Sequence, residues 1–249
     1  MSQKIRRDEI LATLEKQGYT TVNELVTQLH YSSATIYRDL NELQNLNLVK
    51  RSYGGVELTM RKNVPGFPLR HDYMKLEKRQ MGRIAAAMVE NGDRICIAGT
   101  TTTEYILPYL EGKKDLLIVT NDMRLAESAS EYGFETVCLG GRVFERPSIL
   151  MSEETIENAM KFRFDKFFFS TGAFTSNGKI GAEAYAMLYR VIMENSKKTY
   201  FLGDHSKMDA DSDYFLCDFS KIDCVISDVP FSDEVKNSFN KTEFIHAKI

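Results

Sequence analysis

Apolar positions recur along this chain with two different periods, and the change between them divides it. In the first ~60 residues the spacing is helical. Ile10, Leu11 and Leu14 fall on one face of a predicted helix over 2–17, which Gly18 ends. Thr21 and Glu24 have the spacing of a capping box and open a second helix with Leu25, Val26 and Leu29 turned inward. His30 and Tyr31 make a turn, and Ser32 is a suitable N-cap for a third helix in which Ile36, Leu40 and Leu43 recur at i, i+4 and i+7. Beyond Asn47, LVKRSYGGVEL reads as two short strands closed near Gly54-Gly55.

The outer side of the third helix is polar. Ala34, Arg38, Asn41 and Asn45 form its stripe, flanked by Ser33, Thr35 and Tyr37. Two helices joined by a tight turn and followed by a hairpin are the layout of a winged helix-turn-helix, which sets one helix in a DNA major groove. Small and polar residues at the start of such a helix let its backbone enter the groove. Arg38 reaches a phosphate or a guanine edge, and Lys50 and Arg51 of the wing reach phosphates. The expected DNA contacts are therefore Ser33, Ala34, Thr35, Tyr37, Arg38, Asn41, Lys50 and Arg51. Asp39 and Glu42 are expected near the exposed face, where their charge opposes phosphate unless they point along the groove or pair with Arg38. The same layout also serves as a small helical bundle for protein contacts.

Residues 58–74 carry two prolines and a glycine and read as a linker. A helix over 74–90 follows, with Ile84, Ala85 and Met88 inward. From residue 92 the period changes: apolar runs at 94–98, 116–120, 135–139, 165–170, 198–203 and 222–227 alternate with helical stretches near 102–111, 122–132, 152–163 and 182–196. Such alternation predicts an α/β domain with a doubly wound, mostly parallel sheet covered on both faces. The expected organisation is a winged helix-turn-helix over 1–58, a linker over 59–74 and an α/β sensing domain over 75–249.

In folds of this kind ligands sit beyond the carboxyl ends of the strands. There the chain places Gly99-Thr100-Thr101-Thr102-Thr103, Thr120-Asn121-Asp122, Gly140-Gly141-Arg142, Thr171-Gly172-Ala173 and Asp204-His205-Ser206-Lys207. Backbone amides and hydroxyls at a helix start cradle an anion, glycines admit close approach, and an ammonium beside a carboxylate can hold a hydroxylated ligand. The Gly-Thr run serves equally as a plain helix cap. Taken together the strand ends predict a pocket for a small anionic, hydroxylated molecule.

Composition adds exclusions. The net charge of −3 is uneven, with about +4 on the first eighty residues and −7 on the rest, which suits a weakly basic DNA module on an acidic body. Cys96, Cys138, Cys217 and Cys224 lack CxxC spacing and read as reduced structural thiols. The start MSQKIRRDEI lacks a signal peptide's apolar run, so a cytoplasmic protein without membrane partners is expected. No GxxxxGK[ST], GxGxxG or HExxH occurs, so neither a nucleotide engine nor a metal centre is expected.

With these blocks in view, the chain resembles the DeoR family of bacterial transcriptional regulators over nearly its whole length. The likeness is carried by RRDEILATL, VNELVTQLHYSSATIYRDLNEL and RSYGGVEL, then by IAAAMVENGDRICIAGTTT, IVTND, LGGRV, FDKFFFSTGA, GDHSKM and DCVISD. It implies a sensor domain similar to ribose-5-phosphate isomerase and CoA transferase, and a dimer or higher homo-oligomer. It also implies a repressor of a carbohydrate operon on a double-stranded DNA operator, relieved by a small-molecule effector, a phosphorylated sugar, with no other cofactor and no enzyme activity. By position the resemblance puts Thr35, Tyr37 and Arg38 in the recognition helix and Thr101, Thr102, Asn121, Gly140, Gly141, Asp204 and Lys207 on the effector rim, which Gly99 and Thr100 extend. The chain departs from the family pattern at Tyr37, where an arginine is common, at Ala98, where an aspartate is common, and at Ser152 and Tyr189. The alternative is a sugar-phosphate isomerase that keeps a helix-turn-helix and uses Asp204 and Lys207 in proton transfer.

Overall fold

Ile10 and Leu14, one helical turn apart, meet on the inner side of α1 (Gln3–Gln17) and are fully buried in the computed structural model. The structure describes residues 3–17, 19–45, 48–52, 55–58, 67–144, 148–182, 186–210, 212 and 214–249; Gly18, Asn47, Gly54 and residues 59–66 of the expected linker lie outside them. The chain divides into two units, Met1–Tyr73 and Met74–Ile249.

In the first unit β1 (Tyr19–Thr20) leads into α2 (Val22–Leu29) through the predicted capping box. Thr21 Oγ1 accepts from the Glu24 amide at 3.2 Å, and the Glu24 carboxylate accepts from the Thr21 amide at 2.7 Å. His30 turns the chain in the left-handed region, at φ 57°, and α3 (Ser33–Asn45) follows. Antiparallel strands β2 (Val49–Ser52) and β3 (Gly55–Leu58) form the wing, and β1 pairs with the free side of β3. Leu25, Ile36, Leu40, Leu43, Val49 and Val56 join Ile10 and Leu14 in one core. Burying a side chain such as Leu40 is worth about 1.5–3 kcal/mol.

Two expectations need correction in this unit. Asp39 is fully buried rather than near the exposed face. Positions 36, 39, 40 and 43 are i, i+3, i+4 and i+7, so Asp39 shares the inward stripe, and Arg6 and Arg7 of α1 supply the compensating charge. Glu42 is exposed, as expected, and pairs with Arg7 at 3.3 Å. The expected linker also contains a helix, α4 (Phe67–Asp72). Pro68 sits in its first turn, where a missing N–H costs nothing, so here proline marks a helix start instead of a break.

The second unit opens with α5 (Lys75–Ala87), then alternates β4 (Arg94–Ile97), a 3-10 helix (Thr103–Tyr109), β5 (Leu117–Thr120), α6 (Met123–Glu131), β6 (Glu135–Cys138), α7 (Glu153–Met160) and β7 (Phe164–Phe169). It continues through β8 (Lys179–Ala182), α8 (Ala186–Glu194), β9 (Ser196–Gly203), β10 (Tyr214–Asp218), β11 (Cys224–Ser227), α9 (Asp233–Ser238) and β12 (Glu243–His246). Seven strands pair in the order β12-β11-β9-β7-β4-β5-β6, every neighbour parallel. All six predicted strands lie in this sheet, and β12 extends it at one edge.

Successive residues of a strand face opposite sides, and the central strands show it. Phe167, Phe169 and Phe201 pack with Leu188, Tyr189 and Ile192 of α8 and Ala159 of α7. Phe168, Tyr200 and Leu202 pack with Met81 and Ala85 of α5, Ile106 of the 3-10 helix and Leu125 of α6. The predicted helix near 102–111 is 3-10 in form and contains Pro108, which cannot donate to an α-helical ladder. Strands β8 and β10 form a separate antiparallel pair. No helix among the described residues is long and apolar enough to cross a membrane.

Candidate functional site

Each unit carries one candidate surface. On the first, Ser32 caps α3: its hydroxyl accepts from the Thr35 amide at 3.3 Å and lies 2.8 Å from Thr35 Oγ1. Thr35 is thereby half-buried and tied to the cap, while Ser33, Ala34, Tyr37, Arg38 and Asn41 are exposed along the outer stripe. Lys50 is exposed on β2, in register with Glu57 of β3. Arg51 is placed differently from the free wing cation expected. Its Nη1 donates to Asn41 Oδ1 at 2.6 Å, and its guanidinium carbon stands 5.0 Å from the Tyr37 ring centroid. The surface is thus one helix stripe with a wing side chain laid across it.

On the second unit, the loop after β4 is held by its own threonines. Thr103 Oγ1 donates to the Ala98 carbonyl at 2.5 Å, and Thr100 Oγ1 lies 2.8 Å from it. This leaves Thr101 and Thr102, both buried, to meet cations. The Lys78 ammonium donates to Thr101 Oγ1 at 3.1 Å, and the Lys207 ammonium donates to Thr102 Oγ1 at 2.7 Å and to Ser170 Oγ at 3.0 Å. Lys207 also stands 3.1 Å from the fully buried carboxylate of Asp204, to which Ser206 donates a short hydrogen bond. Burial alone pushes the Asp204 pKa up, but Lys207, Ser206 and Lys78 outweigh it and the net shift is downward, so the carboxylate is charged. Among the described residues, two ammoniums and one carboxylate meet in this cluster.

The remaining rim residues are distributed around it. Asn121 brackets two segments: its Oδ1 accepts from the Gly99 amide at 3.1 Å and its Nδ2 donates to the Leu150 carbonyl at 3.3 Å. A Cβ on Gly99 would fall 2.4 Å from Asp122 Cβ, so only glycine permits this approach. Gly140 and Gly141, at φ 73° and 111°, lie against the start of α7, where the Thr155 hydroxyl donates to the Gly140 carbonyl at 2.8 Å. Ser152, one of the departures from the family pattern, is the N-cap of α7. Glu104 is half-buried, and burial together with Asp122 pushes its pKa up to about 7 despite Arg124.

Thr101, Thr102, Asp204 and Lys207 therefore converge, Gly99 and Asn121 form a second node, and the contacts of Gly140 and Gly141 run to α7. Sequence reasoning missed Lys78 and Ser170. Lys78 was detectable: with Met81, Gly82 and Ala85 it falls on the inward stripe of α5, an improbable place for a lysine without a partner. An open cleft lined by residues 111–116 and 131–135 lies where β5 and β6 begin, away from all of these residues.

Comparison with known proteins gives a consistent result. Residues 6–62 match the family described as a DeoR-like helix-turn-helix domain, and residues 74–229 match the DeoR C terminal sensor domain. The HTH-type transcriptional repressor GlcR of Bacillus subtilis is 29% identical over 92% of this chain and 89% of its own. The glycerol-3-phosphate regulon repressor of Escherichia coli is 30% identical over 92% of both. The lactose phosphotransferase system repressor of Staphylococcus aureus is 29% identical over 97% and 98%. Among solved structures, ribose 5-phosphate isomerase from Plasmodium falciparum aligns at 14% identity and a TM-score of 0.39, over 53% of this chain and 52% of that one.

Proposed function

The chain belongs to the DeoR family of transcriptional regulators, and we propose that it is a repressor whose grip on its operator is released by a phosphorylated sugar or a related small metabolite. DNA binding rests on the exposed stripe of α3 above a fully buried Ile36, Leu40 and Leu43, a geometry suited to a major groove. The relatives named for a glycerol-3-phosphate regulon and a lactose phosphotransferase system make a phosphorylated carbohydrate the natural class of effector.

The observation that carries the effector reading is the convergence of Lys78 and Lys207 on the hydroxyls of Thr101 and Thr102 at the strand ends. An anionic ligand there would exchange its charge and hydroxyls for the contacts these side chains now make among themselves. Release follows only if the ligand binds the DNA-competent and DNA-incompetent states with different affinity, about 10⁴-fold to swing a 1:99 equilibrium to 99:1. The reading places the protein in the cytoplasm, assembled as a homo-oligomer. Proton transfer by Asp204 would need the pKa of that carboxyl tuned upward; Lys207 and Ser206 hold it in the opposite direction.

Gel-shift titration of the full chain on its own upstream region, with and without a panel of sugar phosphates, tests the proposal. Salt-dependent binding reversed by at least one of them is expected. Binding indifferent to salt, or absent there and at neighbouring sugar-gene promoters, would overturn it.

A further inference from the structure

Arg38 is the one arginine or lysine that α3 presents, since Tyr37 stands where a second cation would extend the charge of that face. The structure supplies the missing charge from another element. Arg51 leaves β2, crosses to α3 and lies over the ring of Tyr37, with Cζ 5.0 Å from the centroid, while Nη1 donates to Asn41 Oδ1 at 2.6 Å. Tyr37 and Asn41 are i and i+4, neighbours on the outer stripe, so the guanidinium is fixed along the surface that enters the groove. Tyr37 is nearly half exposed, at 46%, although its ring already has a partner, and the stack therefore stands at the solvent-facing side of the helix.

The physics of this arrangement differs from that of an ordinary wing arginine. A guanidinium is planar and has five N–H donors in a fixed fork, one of which Asn41 occupies. The aromatic face holds the plane, and the amide hydrogen bond sets its rotation. A flexible wing side chain must be ordered when it meets DNA, whereas this one is ordered beforehand, which removes part of the entropic cost of binding. An oriented fork is what bidentate recognition of guanine O6 and N7 requires.

We infer that Arg51 is a sequence-reading residue of the recognition surface, carried on Tyr37 and aimed by Asn41, and that it contacts a base edge of duplex DNA in place of a second helix-borne cation. The inference rests on the DNA-binding reading above and names the residues that set operator preference in this chain. It makes Tyr37 a platform whose ring, not its hydroxyl, is needed.

The test uses the full chain and duplexes that the wild-type protein selects from a randomised library, with binding measured by fluorescence anisotropy against the selected and a scrambled duplex. Arg51→Ala should weaken binding to the selected duplex by roughly 5–150-fold, the range of a lost bidentate base contact, and change scrambled binding far less. Tyr37→Phe keeps the ring and should lose far less than Tyr37→Leu, which should lose nearly as much as Arg51→Ala. The Tyr37→Leu/Arg51→Ala double variant should be no weaker than either single one, because both remove the same unit. Arg51→Lys keeps the charge without the planar fork and should resemble Arg51→Ala. Circular dichroism of each variant separates loss of contact from loss of fold; a misfolded Tyr37→Leu leaves the comparison of Arg51→Lys with Arg51→Ala to decide. Wild-type affinity in Arg51→Lys, equal losses on both duplexes, or additive losses in the double variant would overturn the inference and leave Arg51 a phosphate contact. If the wild-type chain enriches no duplex, the DNA-binding reading itself fails.

Discussion

Lys207 stands 3.1 Å from Asp204, a carboxylate with no exposed surface, and the same ammonium reaches the hydroxyls of Thr102 and Ser170. One side chain thus joins the ends of β4, β7 and β9 and neutralises the charge buried among them. The candidate effector site is therefore also a structural joint.

Removing Lys207 should expose this double role. Breaking a buried pair from one side costs about 3–5 kcal/mol, so Lys207→Met should lower the thermal midpoint at neutral pH. In the wild type the folded pKa of Asp204 is depressed, so its contribution is present above the ordinary carboxylate range and lost as pH falls through the depressed value. Without Lys207, burial becomes the dominant influence and acts in the other direction. The deficit of the variant relative to wild type should shrink between about pH 7 and pH 5. A deficit constant across that window would show that Asp204 does not depend on Lys207.

Glu104 gives the opposite sign. Its folded pKa of about 7 lies above the unfolded value, so the stability it contributes is complete below the unfolded value and lost as pH rises through 7. Glu104→Gln should melt higher than wild type at about pH 8 and match it near pH 4.5. Differential scanning calorimetry at the two pH values is sufficient, and an unchanged difference would remove Glu104 from the account.

Asp39 anchors the recognition helix through Arg6 and Arg7. Asp39→Ala removes the carboxylate but leaves both arginines at the buried end of the contact. The front unit should lose protection in hydrogen exchange, with α1 and α3 affected together, and DNA affinity should fall although Asp39 is inaccessible to DNA. Protection retained in α1 would contradict the coupling.

Gly141 has φ 111°, and a Cβ there would lie 2.1 Å from Thr155 Oγ1. Gly141→Ala should cost about 1–2 kcal/mol in backbone strain alone, and more from the crowding against α7. The expected reading is a lower midpoint, together with a weaker response to any sugar phosphate found to release the wild-type protein.

Arg38→Ala should cost about 1–3 kcal/mol on the preferred duplex if Arg38 reads a base. An equal loss on every sequence, with a shallower salt dependence, would identify a phosphate contact instead. Anisotropy titrations at two salt concentrations separate the outcomes.

The central sheet was legible because strands buried on both faces need continuous apolar runs, and FDKFFFS or KTYFLG admit few other readings. Strands β8, β10 and β12 were not, because exposed residues interrupt each of them, and β8 and β10 pair with each other outside the central sheet. Asp39 has the side chain of an outward residue, but its phase on α3 turns it inward. Lys78 on α5 is alike. In both cases helical phase carried the information and side-chain type concealed it. The Arg51–Tyr37 contact was out of reach, since fourteen positions separate the two residues and only the wing's fold brings them together.

Helix α3 divides cleanly: Ile36, Asp39, Leu40 and Leu43 belong to the scaffold, and Ala34, Tyr37, Arg38, Asn41 and Asn45 face outward. Mutations of the outer set leave the core and the Arg6–Asp39 anchor untouched, so target preference can drift among descendants at little risk to folding. For an engineer the outer set is a replaceable cassette, with one condition: position 51 must be exchanged with it, because part of the cassette is stored on the wing.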